Sequence, residues 1–250
     1  MKKTLIKAMV AGTLFASLLS FAGCAKGRKS FARGIKMVSI SERNFKMLNT
    51  EVPQKLYTSI MGSNPSKFKG DNNPVEKVSW YDAIYFSNKL SEKEGLTPVY
   101  SVNGITDVSK WGYTPHNEEE LEGNIRQNLA ANGYRLPTEE EWEYAAKGGE
   151  DYKYSGSNNL DEVGWYYNNS GDRTHSVAQK KANGYGLYDM SGNVWERCWD
   201  VDPNGSGSSR YNRGGSYEDD YYCEVSSRNS DYAGYQYDVL GFRIVCSASN

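Results

Sequence analysis

The sequence predicts an α+β fold in which two helices are combined with short antiparallel sheets and long loops. Two segments carry helix-capping signals followed by amphipathic patterns. The remainder is rich in glycine, asparagine and tyrosine and divides into short apolar runs. No internal repeat is present, and 250 residues suffice for one large domain. We therefore expect a single domain over residues 35–250.

Residues 1–24 have the composition of an export signal. Three lysines precede a mostly apolar run over residues 8–22, which is too short to span a membrane comfortably. The run ends in Ser-Phe-Ala-Gly before Cys24, as at a lipoprotein cleavage site. We expect Cys24 to carry a lipid and residues 25–34 to form a tether, which would anchor the exported protein at the outer membrane surface. The alternative is an ordinary secretory signal with an incidental cysteine.

The first half of the domain should contain a strand, a short helix and a long helix. We expect the strand within residues 37–51 and the short helix over residues 52–61. In the long helix Ser79 is the predicted N-cap, Asp82 its reciprocal partner, and Gly95 the stop. The face predicted to enter the core consists of Ala83, Ile84, Ser87 and Leu90.

The next segments should form a hairpin, a polar insert and a second capped helix. Residues 97–113 predict a short hairpin with its turn near Asn103-Gly104. Residues 117–132 form an acidic insert with partial helical character. Thr138 is then the predicted N-cap of the second helix, with Glu141 as its reciprocal partner.

The segment from residue 151 to residue 183 is rich in loop-forming residues. Within it we expect residues 164–167, Gly-Trp-Tyr-Tyr, to be a buried anchor. His116 and His175 are expected on solvated loops. Three cysteines follow the signal, and their odd number permits at most one disulfide within the domain. The sequence leaves the pairing among Cys198, Cys223 and Cys246 open.

The stretch from Tyr217 to Val239 differs in composition from the rest of the chain. Thirteen of its 23 residues are tyrosine, aspartate or serine, and six of the 20 tyrosines of the chain lie here. Tyrosine supplies a large contact area with only two side-chain torsions to restrict, and antigen-binding loops use it for that reason. We predict a ligand-binding surface within residues 217–240, with a polar loop that has no partner as the alternative. The expected binding residues are Asp219, Asp220, Tyr221, Tyr222, Ser227, Asn229, Ser230, Asp231, Tyr232, Gly234, Tyr235, Tyr237 and Asp238.

The same residues fit a particular pattern of codon change. Replacing only the adenines of an asparagine codon yields tyrosine, aspartate, serine, glycine, alanine and cysteine, but never glutamate, glutamine or lysine. Residues 229–235 and 219–223 lie entirely within the permitted set, whereas Glu218, Glu224 and Gln236 lie outside it. The stretch therefore resembles the variable region of proteins that a retroelement diversifies by mutating adenines.

Five motifs resemble the formylglycine-generating-enzyme family, whose domain is a divergent C-type lectin fold. They are residues 78–83, 134–145, 184–196, 213–216 and 241–243, and they occur in family order across most of residues 40–246. With the export signal and the tyrosine-rich stretch, the chain resembles in particular the variable surface lipoproteins that carry this fold. That resemblance implies a rigid domain that displays changeable side chains to a ligand.

The resemblance also implies an enzymatic alternative. Oxidases of the family have two copper-binding cysteines five residues apart, downstream of Arg-Gly-Gly-Ser, and a thiolate pair suits that metal. Here Cys223 matches the second cysteine, but the first position falls on Glu218 or Asp219. We therefore expect a binding protein rather than an enzyme. The alternatives are an oxidase acting through Cys223 and a structural surface lipoprotein.

The family further implies a structural calcium ion, although no cofactor is required by the predicted function. Its ligands would be the side chains of Asp189 and Glu196 and the carbonyl groups of Gly192 and Val194. In the alternative, the two carboxylates bond loop backbone without a metal. A cation at Arg197 could then take the place of the ion.

Charge restricts the partners. The net charge is −2 and the basic residues are dispersed, so the pattern argues against nucleic acid. We expect a membrane association through the lipid and an unidentified ligand that is a protein or a surface glycan.

Overall fold

The computed structural model describes residues 35–248. The predicted signal (1–24), the lipidation site Cys24 and the tether (25–34) lie outside the described residues. The α-helices are α1 (Gln54–Met61), α2 (Trp80–Glu94), α3 (Glu139–Lys147) and α4 (Leu160–Val163). The strands are β1 (Met37–Ile40), β2 (Phe45–Leu48), β3 (Tyr100–Val102), β4 (Ile125–Gln127), β5 (Tyr134–Arg135), β6 (Trp195–Val201), β7 (Ser209–Arg213), β8 (Arg228–Tyr232), β9 (Leu240–Gly241) and β10 (Val245–Ser247).

The two longest helices begin where their capping motifs predict. Ser79 and Asp82 form a reciprocal capping box at the start of α2, and Thr138 and Glu141 form one at the start of α3. Each box satisfies two backbone N–H groups that the first helical turn leaves without partners. Glycines in the left-handed conformation end both helices. The predicted core face of α2 is fully buried, and the α+β prediction is confirmed.

Two four-stranded sheets frame the domain. The first has the order β1-β2-β10-β5, so that the N-terminal hairpin pairs with the last strand of the chain. The second has the order β8-β7-β6-β9, which places β8 at an edge. All pairs are antiparallel except β6 with β9, where Trp195 lies opposite Leu240 in a parallel register. This pairing departs from the expected antiparallel sheets because β9 enters from a loop rather than from a hairpin.

The predicted hairpin at residues 97–113 is wrong in its second strand. The turn exists, with Asn103 and Gly104 at positive φ. However, β3 pairs with β4 in the acidic insert, and Val102 lies opposite Ile125. The partial helix expected over residues 117–132 is also wrong, because Gly123 and Asn124 interrupt the pattern and the segment continues as a strand.

The predicted anchor at residues 164–167 is wrong in its second half. The buried contacts come instead from Leu160 and Val163 of α4, together with Gly164. A Cβ atom on Gly164 would lie 2.2 Å from the carbonyl oxygen of Ser191, so this close approach requires glycine. Tyr167 is 61% exposed because the chain has already turned toward the surface.

The aromatic core lies around α2. Tyr57 stacks on Phe86 at 5.2 Å between ring centroids, and Phe86 meets Phe242 edge-on at 5.3 Å. Tyr100 stacks on Trp199 at 5.1 Å, and its hydroxyl accepts a hydrogen bond from the backbone N–H of Leu136. Within residues 35–248, no helix combines the length and apolar character needed to cross a membrane.

Candidate functional site

A pair of glycines connects β7 to the tyrosine-rich stretch, residues 217–239. Gly214 and Gly215 have φ angles of +97° and +72°, which strongly favour glycine. A Cβ atom on Gly215 would lie 2.7 Å from the sulfur of Cys223, a buried residue whose backbone is held in a short 3-10 turn. We call the described residues outside residues 217–239 the framework. The two glycines and the buried Cys223 therefore fix how the stretch leaves the framework.

Arg213 holds the middle of the stretch through carbonyl groups. Its Nη2 donates to the carbonyl oxygen of Val225 at 3.1 Å, and its Nη1 donates to those of Ser226 and Ser227 at 3.2 and 2.6 Å. The guanidinium is itself fixed by Glu143 of α3, at 2.6 Å. These contacts reach only main-chain atoms of residues 225–227, so they do not depend on the side chains there.

The C-terminal part of the stretch is held in the same way. Framework donors bond to its carbonyl oxygens at four points: Trp80 N to Ala233 O (2.8 Å), Arg197 Nη2 to Tyr235 O (2.6 Å), Lys77 N to Tyr237 O (3.1 Å) and Trp195 N to Val239 O (2.8 Å). Three of these donors are backbone N–H groups. Because every residue type carries a carbonyl group, the path of this segment is independent of most of its side chains.

Four tyrosines project from this fixed backbone. Tyr221, Tyr222, Tyr235 and Tyr237 are 71%, 50%, 43% and 49% exposed, as expected for a contact surface. They form two pairs, with ring centroids 5.6 Å apart for Tyr221 and Tyr222 and 5.0 Å apart for Tyr235 and Tyr237. We call these four residues the exposed tyrosines.

Trp195 links the two pairs. Tyr222 lies against Trp195, with 6.1 Å between ring centroids, and the backbone N–H of Trp195 bonds to Val239, two residues from Tyr237. Asp238, which follows Tyr237, forms an ion pair with Lys67 of the framework. Both pairs are therefore attached to the same framework strand or to the segment bonded to it.

The side chains of β8 do not all face the surface that carries the exposed tyrosines, although β8 contains four of the expected binding residues. Side chains alternate along a strand. The Oδ2 atom of Asp231 accepts a hydrogen bond from Asn212 at 2.8 Å, whereas Ser230 donates to Asp202 at 2.6 Å on the other face. Ser230, Asp231 and Tyr232 are only partly exposed, while Asn229 is exposed.

Other residues expected at the surface have structural contacts. Asp219 accepts hydrogen bonds from the N–H and the hydroxyl of Ser216, at 2.9 and 2.6 Å. Gly234 is buried, and Ser227 is half-buried. Asp220 is exposed and bonds the N–H of Tyr221. Of the thirteen predicted binding residues, the exposed ones are therefore Asp220, Tyr221, Tyr222, Asn229, Tyr235 and Tyr237.

A cavity of about 400 Å³ opens beside Tyr221. One wall comes from the tyrosine-rich stretch and the other from the framework; the lining residues are Lys153, Tyr154, Asn158, Asn159, Leu160, Tyr166, Asn168, Asp220 and Tyr221. The walls are tied together by hydrogen bonds from Tyr167 N to Asp219 O and from Val225 N to Lys153 O. Amide and phenol groups dominate the lining, so the cavity suits a polar ligand group.

Cys223 does not fit the copper site of the family oxidases. It is fully buried, and the pKa of its thiol is raised by burial and by the charges of Asp219 and Asp220. Among the described residues, Cys198, Cys223 and Cys246 belong to three different hydrophobic clusters, and all three are free thiols. A single protonated thiol cannot supply the thiolate pair that holds cuprous copper.

The expected calcium ligands lie in a buried charge cluster that contains Arg243. Both oxygens of Glu196 are engaged: Arg243 donates to Oε1 and Oε2 at 2.5 and 2.6 Å, and the indole N–H of Trp142 donates to Oε2 at 2.6 Å. The guanidinium also bonds the carbonyl groups of Leu48 and Tyr188. Glu196 therefore offers no free oxygen to an ion, and the expected calcium ligand set is incomplete at this position.

Asp189 is the other carboxylate of the expected calcium set. Its Oδ2 accepts a hydrogen bond from the N–H of Ala178, while its buried Oδ1 has no partner among the described residues. Burial raises the pKa of Asp189 to about 6. Glu51, which no sequence motif indicates, is fully buried beside it, and both of its carboxylate oxygens also lack partners among the described residues. Burial and the charge of Asp189 raise its pKa strongly. No local sequence pattern identifies Glu51, because it is far from Asp189 and Glu196 in the sequence.

The role proposed for Arg197 as a substitute cation is wrong. Arg197 follows Glu196 on β6, so the two side chains point to opposite faces of the sheet. Arg243 is the cation that neutralises Glu196, and Arg197 lies fully buried beneath the tyrosine-rich stretch.

The histidines are not on fully solvated loops, contrary to expectation. His116 is 17% exposed and approaches the hydroxyl of Tyr57 at 3.1 Å and Asp82 at 3.4 Å. His175 stacks on Trp165 at 3.8 Å between ring centroids. Both positions are secured by neighbouring aromatic groups, a long-range feature that the local sequence does not reveal.

Comparison with known proteins gives a consistent picture. Residues 24–248 match the family described as the sulfatase-modifying factor enzyme 1-like domain. The chain is 44% identical over 188 residues to the chaperone protein LppX of Paenibacillus barcinonensis, covering 66% of this chain and 64% of that protein. It is 38% identical over 144 residues to the formylglycine-generating enzyme of Streptomyces coelicolor, covering 44% of this chain and 46% of the enzyme. The chain thus spans less than two thirds of either relative.

Among solved structures, the domain is similar to Treponema denticola variable protein 1. The two share 37% sequence identity and superpose with a TM-score of 0.74, over 85% of this chain and 91% of that one. These matches confirm the resemblances inferred from the motifs and the C-type lectin fold of the formylglycine-generating-enzyme kind.

Proposed function

This chain belongs to the family of sulfatase-modifying factor enzyme 1-like domains, and we propose that it is a ligand-binding protein displayed at the cell envelope. The observation that carries this proposal is the attachment of residues 217–239 through main-chain carbonyl groups. Side chains that do not hold the fold are free to serve recognition. The exposed tyrosines then supply rigid, amphipathic contact area.

The likeness to a Treponema variable protein supports the proposal. We infer that the side chains on this backbone are diversified, with a retroelement as the source. Sequencing the surrounding DNA tests this inference. We expect a near-identical repeat of the coding sequence for residues 217–240 that differs only at adenines and lies beside a reverse-transcriptase gene. If the genome lacks such a repeat, the inference of diversification is rejected and the binding surface is the same in every copy of the protein.

Binding itself is tested with purified protein on protein and glycan arrays. A variant in which the four exposed tyrosines are changed to serine should lose the signals of the unmodified domain. The matched control is Tyr152→Ser, because Tyr152 is 43% exposed and lies outside the stretch. Equal loss in the control, or full retention in the quadruple variant, would contradict the proposed surface.

We also propose that the protein is not an oxidase, although the matched family includes formylglycine-generating enzymes. The buried thiol of Cys223 and the missing second cysteine support this view. Incubation with a cysteine-containing sulfatase peptide and added copper should produce no formylglycine. Formation above the level of a Cys223→Ala control would restore the enzymatic alternative.

For location, we propose export and lipid attachment at Cys24, with the domain on the outer membrane surface. Cys24→Ser should move the protein from the detergent phase to the aqueous phase after signal cleavage. Surface proteolysis of intact cells then tests the side of the membrane. Continued partition of Cys24→Ser into detergent would require a different anchor.

A further inference from the structure

Arg197 is a buried cation with few partners. Its side chain is fully buried, and its Nη2 donates to the carbonyl oxygen of Tyr235 at 2.6 Å. Its Nη1 reaches Asn212 Oδ1 only at 3.5 Å, and its Nε has no partner among the described residues. A buried charge without a close counter-ion is costly, and an unpaired buried donor calls for an explanation.

Asp231 is the acid in the tyrosine-rich stretch that compensates this charge. Its carboxylate is held by the amide of Asn212 at 2.8 Å, and the same amide group faces Arg197 with its oxygen. Burial lowers the pKa of Arg197 to about 10, and the charge of Asp231, followed by that of the framework residue Asp82, opposes that effect. Burial raises the pKa of Asp231, and the charge of Arg197 opposes it in turn. The two groups therefore interact without forming a close ion pair.

The two sides of this contact differ in how freely they can change. Arg197 and Asn212 lie on the central strands β6 and β7, outside the tyrosine-rich stretch. Asp231 lies on the edge strand β8, within the run 229–235 that fits adenine-directed change. A serine, alanine or glycine at position 231 would remove the carboxylate and leave the donors of Arg197 and Asn212 in place.

We propose that Arg197 and Asn212 form a fixed carboxylate-binding subsite beneath the variable surface, which Asp231 fills in this chain. When residue 231 is not acidic, an acidic side chain of a protein ligand occupies the subsite. Residue 231 thus selects the charge class of the ligand. This assignment rests on the proposed binding function, but the subsite is testable without a natural ligand.

The experiment is chemical rescue of the Asp231→Ala variant, and the measured quantity is its melting temperature. Sodium acetate, compared with sodium chloride at equal ionic strength, should raise the melting temperature of this variant by about 2 °C or more, because acetate binds the native state alone. The unmodified protein should show a smaller difference, which measures the general effect of the two salts. Asp220→Ala is the matched control, since Asp220 is an exposed acid of the same stretch whose carboxylate accepts the neighbouring N–H of Tyr221.

A second pair of variants identifies the donors. Adding Arg197→Met to Asp231→Ala should abolish the acetate response; if that protein does not fold, Asn212→Ala in the same background should weaken it at least two-fold. Adding Arg126→Met should leave the response intact, because Arg126 lies on β4 in a different sheet and its Nε donates to Asn124.

Several outcomes would overturn the assignment. They are an equal effect of acetate and chloride on Asp231→Ala, an acetate response of the same size in Asp220→Ala, and a response that survives both donor variants. An additional stabilisation of Asp231→Ala over the unmodified protein that is as large in inorganic phosphate as in acetate would reject the carboxylate in favour of phosphate. Failure of the array experiment alone would reject the binding function and leave the acetate result standing.

Discussion

Tyr100 and Tyr221 are the same residue type in opposite environments. Tyr100 is fully buried, stacks on Trp199 and accepts the N–H of Leu136 through its hydroxyl. Tyr221 is 71% exposed and packs only against its neighbour Tyr222 and the rim of a cavity. The difference teaches that a tyrosine supports the framework where its ring is buried and its hydroxyl is hydrogen-bonded. Where most of the ring faces solvent, the side chain is available to a ligand.

The largest expected effect on stability comes from replacing the buried tyrosine, Tyr100. Tyr100→Ala should lower the free energy of unfolding by about 3–5 kcal/mol, because it removes a buried ring and leaves the Leu136 N–H without a partner. Tyr221→Ala should change it by less than about 0.5 kcal/mol. Urea unfolding of both variants measures the contrast, and similar losses would place Tyr221 in the framework.

A smaller loss is expected at Asp82, which caps the helix beneath the stretch. Burial alone would raise its pKa, but hydrogen bonds from His116, Ser79 and Tyr113 outweigh burial and hold the pKa below its usual value. Asp82→Asn should cost about 1–3 kcal/mol at neutral pH, since an amide presents a donor where Ser79 N–H needs an acceptor.

The pH dependence follows from the sign of that shift. A carboxyl group with a lowered folded-state pKa contributes stability above its unfolded-state pKa and loses it as the pH falls through the folded-state value. The difference between the unmodified protein and Asp82→Asn should therefore be complete at neutral pH and should shrink below the ordinary value of 3.8. Urea titrations across this range measure it, and a constant difference would assign the effect to packing alone.

The exposed side of the comparison should tolerate combined change. Replacing the four exposed tyrosines together with serine should lower the melting temperature by no more than about 2–4 °C, which corresponds to roughly 1 kcal/mol in a domain of this size. Circular dichroism during heating measures the shift. Cooperative unfolding at much lower temperature would mean that these rings support the fold.

The smallest effect is expected from chelation. Because Arg243 occupies both oxygens of Glu196, a calcium chelator should leave the melting temperature within about 1 °C. Elemental analysis of the purified protein is the accompanying measurement. A clear decrease that added calcium reverses would mean that Asp189 and its neighbours hold an ion after all.

The sequence predicted features that depend on neighbouring residues. The caps at Ser79 and Thr138 were predicted because capping is a local exchange of hydrogen bonds. The pairing of β3 with β4 was not predicted, since it closes over a long insert. Arg197 was misassigned for a related reason. Proximity in the chain suggested contact with Glu196, but strand alternation separates them, and the partner of Glu196 is the distant Arg243.

The candidate site divides in the same way. Composition identified residues 217–239 as unusual, and the exposure of Tyr221, Tyr222, Tyr235 and Tyr237 was predicted from it. Composition did not reveal that Asp219 and Asp231 turn inward, because their partners Ser216 and Asn212 are selected by backbone geometry. Composition also did not indicate Glu51, because its raised pKa results from burial in the folded domain.

Attachment through carbonyl groups has a consequence for evolution. Main-chain attachment holds the path of the stretch whatever its exposed side chains are. Substitutions of the exposed tyrosines should therefore affect folding little, whereas substitutions of Asp219, Cys223 or Asp231 remove contacts with the framework. If the stretch is diversified as proposed, versions that differ only in the exposed side chains would present different contact surfaces on the same fold.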